Sequence, residues 1–394
     1  MSKDAEKYDQ RGVSATKAEI HNAIRHLDKG LYPNAFCKVL FDITGNDPDF
    51  VNIMHADTAG TKTSLAYIYW KETGDADVWK GIVEDAIVMN IDDMGCVGAV
   101  DQIVLSSTIG RNKHLISSEV INIIINHAQA FCEKLSGYGV NIMLSGGETA
   151  DVGDIVRTID VGYTTFCRLP RNKIINIDIR EGDYVVGFSS SGQAAYEDNY
   201  NGGMGSNGLT SARHDVFSSI YRKKYPESYS PETDIRYIYS GSRLLTDEIS
   251  VCGKNITLGK LVLSPTRTYL PLLKSIVTDL HSDLHGIIHC SGGGQTKVLK
   301  FIDKPLCVIK DNLFEPPLLF QIIKQESDSS DEEMYQVFNM GHRLEIYTPS
   351  ADAAEEMINR SSQLQIEARI VGRVVKSDSP AVKIIKDSHM IEYQ

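Results

Sequence analysis

The sequence predicts an α/β or α+β protein of two domains. Helix-like and strand-like patterns alternate along the whole chain, as they do in mixed layered folds. The chain has 394 residues, and at roughly 100 to 200 residues per domain this length favours two domains. Hydrophobic residues make up 42% and charged residues 23%, as in globular proteins, which disfavours disorder, collagen and coiled coil.

The first half of the chain alternates predicted strands with two predicted helices. Residues 80–94 predict a helix because their apolar side chains recur at helical spacing. Residues 117–137 predict a second helix, which ends at a glycine. Four β-rich runs predict strands, at 51–55, 101–107, 141–145 and 155–166.

Residues 168–183 predict a domain boundary because they combine a proline, a cluster of charges and a turn signal. We therefore expect domains at 1–167 and 180–394. The acidic run 326–333 predicts a solvated loop. The second domain is expected to begin with a strand at 184–190, a glycine-rich stretch at 191–208 and a helix from 209. A tyrosine-rich loop at 221–239 should follow, and then a helix and a strand within 270–289. The domain should end with a strand, a helix and a strand within 344–391.

The charge and the cysteines limit the classes of function. The formal net charge is −12 at pH 7, which disfavours nucleic acid and acidic membranes as partners but allows a small anionic substrate. Seven scattered cysteines form no CxxC pair, so we expect buried apolar cysteines in a reducing compartment rather than disulfides or zinc ligands. The N-terminus is polar and no apolar run approaches the roughly 20 residues of a membrane span, so the sequence predicts a soluble cytoplasmic protein.

Two motifs resemble known kinds of binding site. The glycines at 203, 205 and 208 fit GxGxxG, but they do not follow a strand directly, which disfavours a dinucleotide site. A phosphate-binding loop of another kind fits better, with a flexible loop without ligand as the alternative. His281, His285 and His289 would share one face of a continuous helix, as zinc ligands can, but Gly286 weakens that helix. The alternative is a set of hydrogen-bonded histidines.

Three carboxylates with glycine neighbours point to phosphate chemistry. Asp57 opens the segment DTAGTK, Asp93 falls late in a predicted helix, and Glu148 ends the segment SGGE. Carboxylates beside glycines suit Mg²⁺ bound together with phosphates, and Lys62 can neutralise phosphate charge. This set meets the needs of ATP-dependent phosphoryl transfer without a P-loop, although each acid alone is as consistent with a helix cap or a surface position.

An ordered series of segments resembles one enzyme family, the phosphoribosylformylglycinamidine cyclo-ligases (aminoimidazole ribonucleotide synthetases) of the PurM-like ATP-binding superfamily. The segments span nearly the whole chain, and each is weak alone. They are Tyr8 with Gly12-Val13-Ser14, the DTAGTK segment 57–62, the helix from Asp85 through Asp93 to Gly98-Ala99, the GGETA segment 146–150, Ser190-Ser191-Gly192, Ser206-Asn207-Gly208, the PTRTY segment 265–269, His289 with Gly292-Gly293-Gly294, and the FNMG segment 338–341.

The resemblance implies a fold and a reaction. The fold would have an N-terminal mixed sheet that pairs across a homodimer and binds ATP, followed by a C-terminal α/β domain. The reaction would be the ATP-dependent ring closure of formylglycinamidine ribonucleotide to aminoimidazole ribonucleotide, with release of ADP and phosphate, in de novo purine biosynthesis. ATP would be the co-substrate and Mg²⁺ the cofactor.

The resemblance also implies roles for individual residues. The metal ligands would be Asp57, Asp93 and Glu148. The catalytic residues would be Asp57, Lys62 and Asp93. ATP would be bound by Gly60, Thr61, Lys62, Asp93, Gly146, Gly147 and Glu148. The substrate would be bound by Ser190, Ser191, Gly192, Ser206, Asn207, Gly208 and Thr266.

One departure from the family pattern affects the substrate elements. Residues 193–204 separate two segments that the family joins closely, and Gly205 stands where the family has a histidine. The sequence offers His214, Tyr196 or Tyr200 as residues that could take over its role.

Further departures leave the choice of substrate open. Asp92 stands where the family usually has Asn, and His342 with Arg343 replaces a small apolar pair. One alternative is another PurM-like ATP-dependent kinase or synthetase that acts on a different small substrate. The other is a non-catalytic nucleotide-binding or scaffolding protein.

Overall fold

The structure is a computed structural model that describes Tyr8 and residues 10–12, 22–387 and 389–394. Val13 and Ser14, which belong to the first family-like segment, lie outside the described residues. Two large β-sheets organise the chain, one in each half, and helices pack on them. The predicted mixed α/β architecture is therefore confirmed.

The first sheet has five strands in the order β1-β2-β5-β3-β4. β5 pairs antiparallel with β2 and with β3, and β3 pairs parallel with β4. The predicted strands are confirmed, but the sheet also takes in the polar residues that begin DTAGTK and form GGET. The strands are β1 Val39–Phe41, β2 Phe50–Thr58, β3 Ile103–Arg111, β4 Ile142–Asp151 and β5 Ile159–Pro170.

Helices cover one face of the first sheet, and the predicted pair is confirmed. Among the described residues, the helices that pack on this sheet are α1 Lys62–Thr73, α2 Val78–Gly95 and α3 Ser118–Gly137. α3 has one apolar stripe, and it buries Val120, Ile124, Phe131 and Leu135 at helical spacing. Each such side chain contributes about 1.5–3 kcal/mol when it is fully buried.

The opposite face of the first sheet, called the open face below, is not covered by the described chain. Cross-strand register places Met54, Phe166, Val104 and Met143 side by side in one row across four strands. Met54 is 61% exposed and Met143 is 59% exposed. The open face therefore presents a continuous apolar row to its surroundings.

The second sheet has seven strands in the order β14-β13-β10-β12-β6-β11-β9. A separate two-stranded sheet pairs β7 with β8. The central strands β6 and β11 are buried along nearly their whole length, so the core of this half lies at the middle of the sheet. The strands are β6 Tyr184–Ser189, β7 Glu248–Val251, β8 Lys254–Thr257, β9 Gly286–His289, β10 Leu306–Lys310, β11 His342–Thr348, β12 Ala368–Lys376, β13 Ala381–Lys386 and β14 His389–Tyr393.

The helices of the second half correct two expectations. The acidic run 326–333 is not one loop, because Ser330 caps a helix that begins at Asp331. The tyrosine-rich segment 221–239 contains the end of one helix and two short 3₁₀ turns. The helices are α4 Leu209–Val216, α5 Ile220–Lys224, α6 Leu258–Val262, α7 Leu270–Asp279, α8 Leu318–Ser327, α9 Asp331–Val337 and α10 Ala351–Gln363.

Helix α2 joins the two halves. Its side chains reach β2 on one side, and Gly95 lies so close to Leu270 and Leu273 of α7 that a Cβ there would come within 2.9 Å of both. Since α2 is buried on nearly all sides, its polar residues face either the sheet or the second half of the chain. This placement brings the acidic residues of α2 to the candidate site.

Two general expectations can be compared with the structure. All seven cysteines are free, and six of them are buried as expected, whereas Cys252 is exposed. None of the helices in the described part of the chain combines the length and hydrophobicity needed to cross a lipid bilayer.

Candidate active site

Asp57 and Asp93 are linked through two polar side chains on the helix-covered face of the first sheet. His55 Nδ1 donates to Asn90 Oδ1 at 3.0 Å, and Asn90 Nδ2 donates to the backbone oxygen of Asp57 at 3.3 Å. His55 Nε2 lies 3.5 Å from Asp93 Oδ2. The structure therefore gathers two of the three predicted metal ligands around the end of β2. The sequence carries no signal for His55 or Asn90, since neither lies in a recognisable motif.

Asp93 also connects the first half of the chain to the second. His289 Nδ1, at the end of β9, donates to Asp93 Oδ1 at 2.6 Å. Burial acts to raise the pKa of Asp93, but the His289 hydrogen bond and charge outweigh it and hold that pKa below its usual range. His289 Nε2 is buried and has no partner among the described residues. Asp93 is therefore an ionised carboxylate at the boundary between the two halves.

The three histidines spaced by four residues do not share a helix face. His281 lies in a 3₁₀ turn, and His289 lies in strand β9. His285 Nδ1 donates to Asp183 at 2.8 Å, while His289 donates to Asp93. The zinc interpretation is wrong because Gly286 begins a strand, which sends the histidines to different neighbours.

Glu148 lies on the open face, away from Asp57. The register aligns Thr58, Gly162, Thr108 and Glu148 in one row, and Asp57 belongs to the next row, whose side chains point to the other face. Asp57, Asp93 and Glu148 therefore do not form a single ligand set on one face of this chain, contrary to the expectation from their spacing.

A β-bulge is the cause of this separation. Leu105 pairs with Leu144, but Ser107 pairs with Gly147, so β4 has one residue more than β3 between these pairs. Without the extra residue, Glu148 would point to the helix-covered face. Gly146 lies within the bulge at φ +96°, a conformation that glycine adopts without strain.

Lys62 forms a buried ion pair rather than an exposed phosphate contact. Its Nζ is 2.9 Å from Asp85 Oδ1 and donates to the backbone oxygen of Ser264 at 2.5 Å. Both side chains of the pair are completely buried. Burial lowers the pKa of Lys62 and raises that of Asp85, although each partner opposes the shift of the other. Direct contact of Lys62 with phosphate, as expected from the sequence, is not available in this arrangement.

Asp85 carries the connection to the predicted substrate residue Thr266. The backbone N–H and the hydroxyl of Thr266 both donate to Asp85 Oδ1, at 2.8 and 2.6 Å. The other carboxylate oxygen of Asp85 is buried without a partner among the described residues. The predicted ATP-binding segment is joined to the second half at one more point, because Thr61 Oγ1 lies 2.7 Å from Thr210 Oγ1.

The predicted substrate segments meet around Asn339. Ser190 Oγ donates to Asn339 Oδ1 at 2.7 Å, and Asn339 Nδ2 donates to the backbone oxygen of Gly203 at 2.8 Å. Arg267 donates to the backbone oxygen of Ser191, one residue before Gly192. The structure thus brings the segment 190–192 and the glycine loop together from opposite ends of the long insertion.

The remaining substrate residues lie next to this centre. Asn207 Nδ2 is 3.5 Å from the position of a Cβ at Gly292, in the glycine run that follows β9. Gly208, at φ +77°, precedes α4 and packs against Phe338 so closely that a Cβ would come within 2.5 Å of its ring. Ser206 is partly buried at the start of the same turn. The segments 206–208 and 292–294 therefore face each other.

None of the three suggested replacements for the family histidine is the side chain nearest to Gly205. His214 Nδ1 accepts from the backbone N–H of Tyr239 at 3.2 Å, and burial lowers the pKa of His214 far below its usual range. The Tyr196 hydroxyl donates to the backbone oxygen of Thr268. Tyr200 is half-buried in the insertion. The side chain that faces Gly205 is Arg343, because a Cβ on Gly205 would lie 2.9 Å from Arg343 Nη1.

Asp92 is buried beside Asp93 but faces the second half of the chain. It accepts from the Thr268 hydroxyl at 2.6 Å and from the Tyr269 N–H at 3.0 Å. Burial raises the pKa of Asp92 to about 6, against the lowering effects of the His289 charge and the two hydrogen bonds. This residue is therefore a structural contact whose ionisation is unfavourable.

A second polar cluster, in the second sheet, offers ligand atoms from Cys290, His342 and Glu345 within 4.8 Å of one another. His342 Nε2 lies 2.8 Å from Glu345 Oε1, and the Lys310 ammonium donates to the same carboxylate oxygen. A lysine cation already neutralises Glu345, so the cluster fits a buried ion pair better than a metal. His342, one of the departures from the family pattern, is accounted for by this contact.

Comparison with known proteins agrees with the class that the fold and the motifs indicate. Residues 39–169 match the family described as AIR synthase related protein, N-terminal domain. Over 97% of its length, the chain is 27% identical to the phosphoribosylformylglycinamidine cyclo-ligase of Methanococcus vannielii and covers 92% of it. It is 28% identical to the enzyme of the same name from Methanocaldococcus jannaschii, over 84% of this chain and 79% of that protein. The resemblance to the cyclo-ligase family is confirmed.

Solved structures support the fold alone. Thermotoga maritima PurL complexed with FGAR superposes with a TM-score of 0.53 at 13% identity, covering 98% of this chain and 54% of PurL, so the chain corresponds to about half of that protein. A ThiL complexed with AMPPCP and TMP gives a TM-score of 0.50 at 12% identity, with 96% and 94% coverage. The PurM-like fold class is therefore confirmed across both halves.

Proposed function

We propose that this protein is an ADP-forming ligase that closes the imidazole ring of aminoimidazole ribonucleotide from formylglycinamidine ribonucleotide, using ATP. One observation carries the proposal: the two halves meet through buried contacts of Asp93 with His289 and of the Lys62–Asp85 pair with Thr266. These contacts join the acidic and glycine-rich segments of the first half to the serine, asparagine and glycine segments of the second. The same segments, in the same order, carry the resemblance to the cyclo-ligases.

The reaction has two stages, which are phosphorylation of the formyl amide oxygen and ring closure. The formyl amide oxygen attacks the γ-phosphorus of ATP, so that an O–P bond forms and the bond to ADP breaks. The amidine nitrogen then attacks the formyl carbon, the C–O bond breaks, and inorganic phosphate leaves with that oxygen. The formyl amide nitrogen and the attacking nitrogen each lose a proton, one of which the departing phosphate takes up. A methylene proton moves to the remaining amidine nitrogen, which becomes the amino group as the ring becomes aromatic. Because both reacting groups belong to one molecule, positioning and charge stabilisation supply most of the catalysis.

Mg²⁺ fits the acidic residues of the first half, whose carboxylate oxygens are hard ligands. Asp93 is ionised because its pKa is held low, and Asp57 lies on the same side of the sheet. These two residues would hold the ion, which supplies charge neutralisation to ATP phosphates when bound. Glu148 would act from the open face.

The other residue roles are proposed in the same way. Gly60 has φ +63° and open space around it, so the backbone of the turn at 60–61 leaves room for a phosphate group to approach. Gly146 and Gly147 would do the same in the bulge of β4. Lys62 would act as a positioning residue, because its ammonium holds Asp85, and Asp85 in turn fixes Thr266 at the substrate side.

We also propose that the protein is a homodimer that pairs through the open face. Its row of four side chains is apolar, with Met54 and Met143 exposed and Phe166 and Val104 half-buried, and such faces mark interaction sites. Pairing would enclose Glu148, which lies on the same face. Met54→Asp should convert a dimer to a monomer in sedimentation analysis, whereas Lys80→Asp on the exposed side of α2 should leave the mass unchanged. A wild-type monomer at micromolar concentration would contradict this assignment.

ADP release from ATP tests the reaction directly. Purified protein should release ADP only when formylglycinamidine ribonucleotide is present, and Asp93→Asn should abolish that release. ATP binding without turnover of this substrate would favour another PurM-like kinase or synthetase, and no ATP binding would favour a scaffold. We place the reaction in the cytoplasm, in keeping with the unpaired cysteines.

A further inference from the structure

Arg343 is a buried cation whose hydrogen-bonding capacity is mostly unused. It is the second residue of β11 and is only 2% exposed. Its Nη2 donates to the backbone oxygen of Arg267 at 2.6 Å, which is a neutral acceptor. Nε and Nη1 have no hydrogen-bond partner among the described residues. Burial of a guanidinium in this way is unfavourable unless hydrogen-bond acceptors satisfy its N–H groups.

In the neighbouring Arg267, by contrast, every guanidinium nitrogen donates a hydrogen bond. It is equally buried, and its Nε and Nη2 donate to the two carboxylate oxygens of Glu197 at 3.0 and 2.6 Å. Its Nη1 donates to two backbone oxygens. Arg267 therefore fixes the insertion, whereas the free donors of Arg343 remain available for a ligand.

The free Nη1 of Arg343 lies among the predicted substrate residues. A Cβ built on Gly205 would be 2.9 Å from this nitrogen and 3.7 Å from Thr266 Oγ1. Gly205 has φ +66°, and a side chain there would press against the guanidinium. A histidine at 205 would therefore displace the Arg343 guanidinium from its present position. In the family pattern, a histidine stands at the position of Gly205 and a small apolar residue at the position of Arg343.

We propose that Arg343 is a substrate-binding residue that replaces the missing histidine and donates to a phosphate oxyanion bound beside the glycine loop 203–208. The inference rests on the proposed function and adds to it the residue that neutralises the substrate's negative charge. Two sources share this chemistry, namely the ribose 5-phosphate group of the substrate and the phosphoryl group that ATP transfers. The position of Arg343 beside the 203–208 loop favours the ribose phosphate.

Calorimetric titration of the purified protein with ribose 5-phosphate, and separately with a non-hydrolysable ATP analogue, tests the inference without turnover. Arg343→Met should weaken ribose 5-phosphate binding at least tenfold, and Arg343→Lys should weaken it less. The apo protein should unfold at the same temperature or higher, because an unpaired buried charge has been removed. Arg267→Met, the matched control, should lower the unfolding temperature, since it leaves Glu197 without its partner.

The outcomes separate the possible explanations. A loss confined to the ATP analogue would still support an oxyanion-binding Arg343 and identify the transferred phosphoryl group as its ligand. Unchanged affinity for both ligands, with a destabilised apo protein, would overturn the inference and make Arg343 a packing residue. Arg343-dependent phosphate binding in a protein that never turns over formylglycinamidine ribonucleotide would contradict the proposed function but not this inference.

The exchange with histidine can be tested by variants at both positions. Gly205→His alone should lose activity, because its Cβ meets the Arg343 guanidinium. Gly205→His combined with Arg343→Ala should recover at least tenfold in kcat/KM over Arg343→Ala, mainly through KM. A double variant no better than Arg343→Ala would show that Arg343 does not stand in for the histidine.

Discussion

Replacing Asp92 by Asn should stabilise the protein at neutral pH. Asp92 is fully buried between α2 and the start of α7, where it accepts from the Thr268 hydroxyl and the Tyr269 N–H. An asparagine of the same shape can accept from the Tyr269 N–H and donate to the Thr268 oxygen, so both contacts are kept. Only the buried negative charge is lost.

The magnitude follows from the pKa of Asp92. Burial raises this pKa from 3.8 to about 6, and the difference corresponds to about 3 kcal/mol of unfolding free energy. Because the folded pKa is the higher one, the folded state binds the proton more tightly than the unfolded state. The wild-type protein therefore loses stability as the pH rises from about 4 to about 6, and it does not regain this contribution at higher pH.

Urea unfolding of both proteins at several pH values between 4.5 and 8 measures the effect. The difference between Asp92→Asn and wild type should be small at the acidic end and should grow to about 3 kcal/mol at pH 8. Asp93→Asn is the matched control with the opposite sign. The pKa of Asp93 is lowered, so the variant should be less stable than wild type at neutral pH, and the gap should shrink in acid. An Asp92→Asn protein that is no more stable than wild type at pH 8 would refute the reasoning.

Two further substitutions test the packing of the site. Lys62→Met should lower the free energy of unfolding in urea by about 3–5 kcal/mol, because it leaves Asp85 buried without its partner. Lys80→Met breaks an exposed ion pair and should lower it by under about 1 kcal/mol. Equal losses would contradict the burial of the Lys62–Asp85 pair. Gly147→Ala should lower the unfolding temperature more than Gly146→Ala, since a Cβ at 147 would lie 2.2 Å from a backbone oxygen of β3, while Gly146 has open space and only backbone strain. The reverse order would show that the bulge in β4 is misplaced.

Local pattern sufficed to predict most of the fold. The apolar spacing of α2 and α3 and the β-rich runs of the first sheet are each encoded within about 20 neighbouring residues, so the elements follow from periodicity. The acidic run 326–333 was wrongly predicted as a loop because Ser330 caps a helix there and the acidic residues of its first turn favour the helix N-terminus. The family-like segments could also be found from the sequence, because they depend only on the identity and order of the residues.

The arrangement of the site could not be predicted in the same way. The face on which Glu148 lies depends on one extra residue in β4, and no local signal fixes a bulge at that register. The Asp85–Thr266 contact joins residues 181 positions apart, and Gly205 and Arg343 are also far apart in the sequence. Such pairings arise from the packing of the two halves, so the residues were predicted without their partners.

The fate of the formyl oxygen tests the central claim most directly. Formylglycinamidine ribonucleotide labelled with ¹⁸O at the formyl amide is incubated with the protein and ATP, and the released phosphate is examined by ³¹P NMR. The account predicts one ¹⁸O atom in each inorganic phosphate released, together with one aminoimidazole ribonucleotide and one ADP. Unlabelled phosphate released along with the imidazole product would contradict phosphorylation of the amide oxygen.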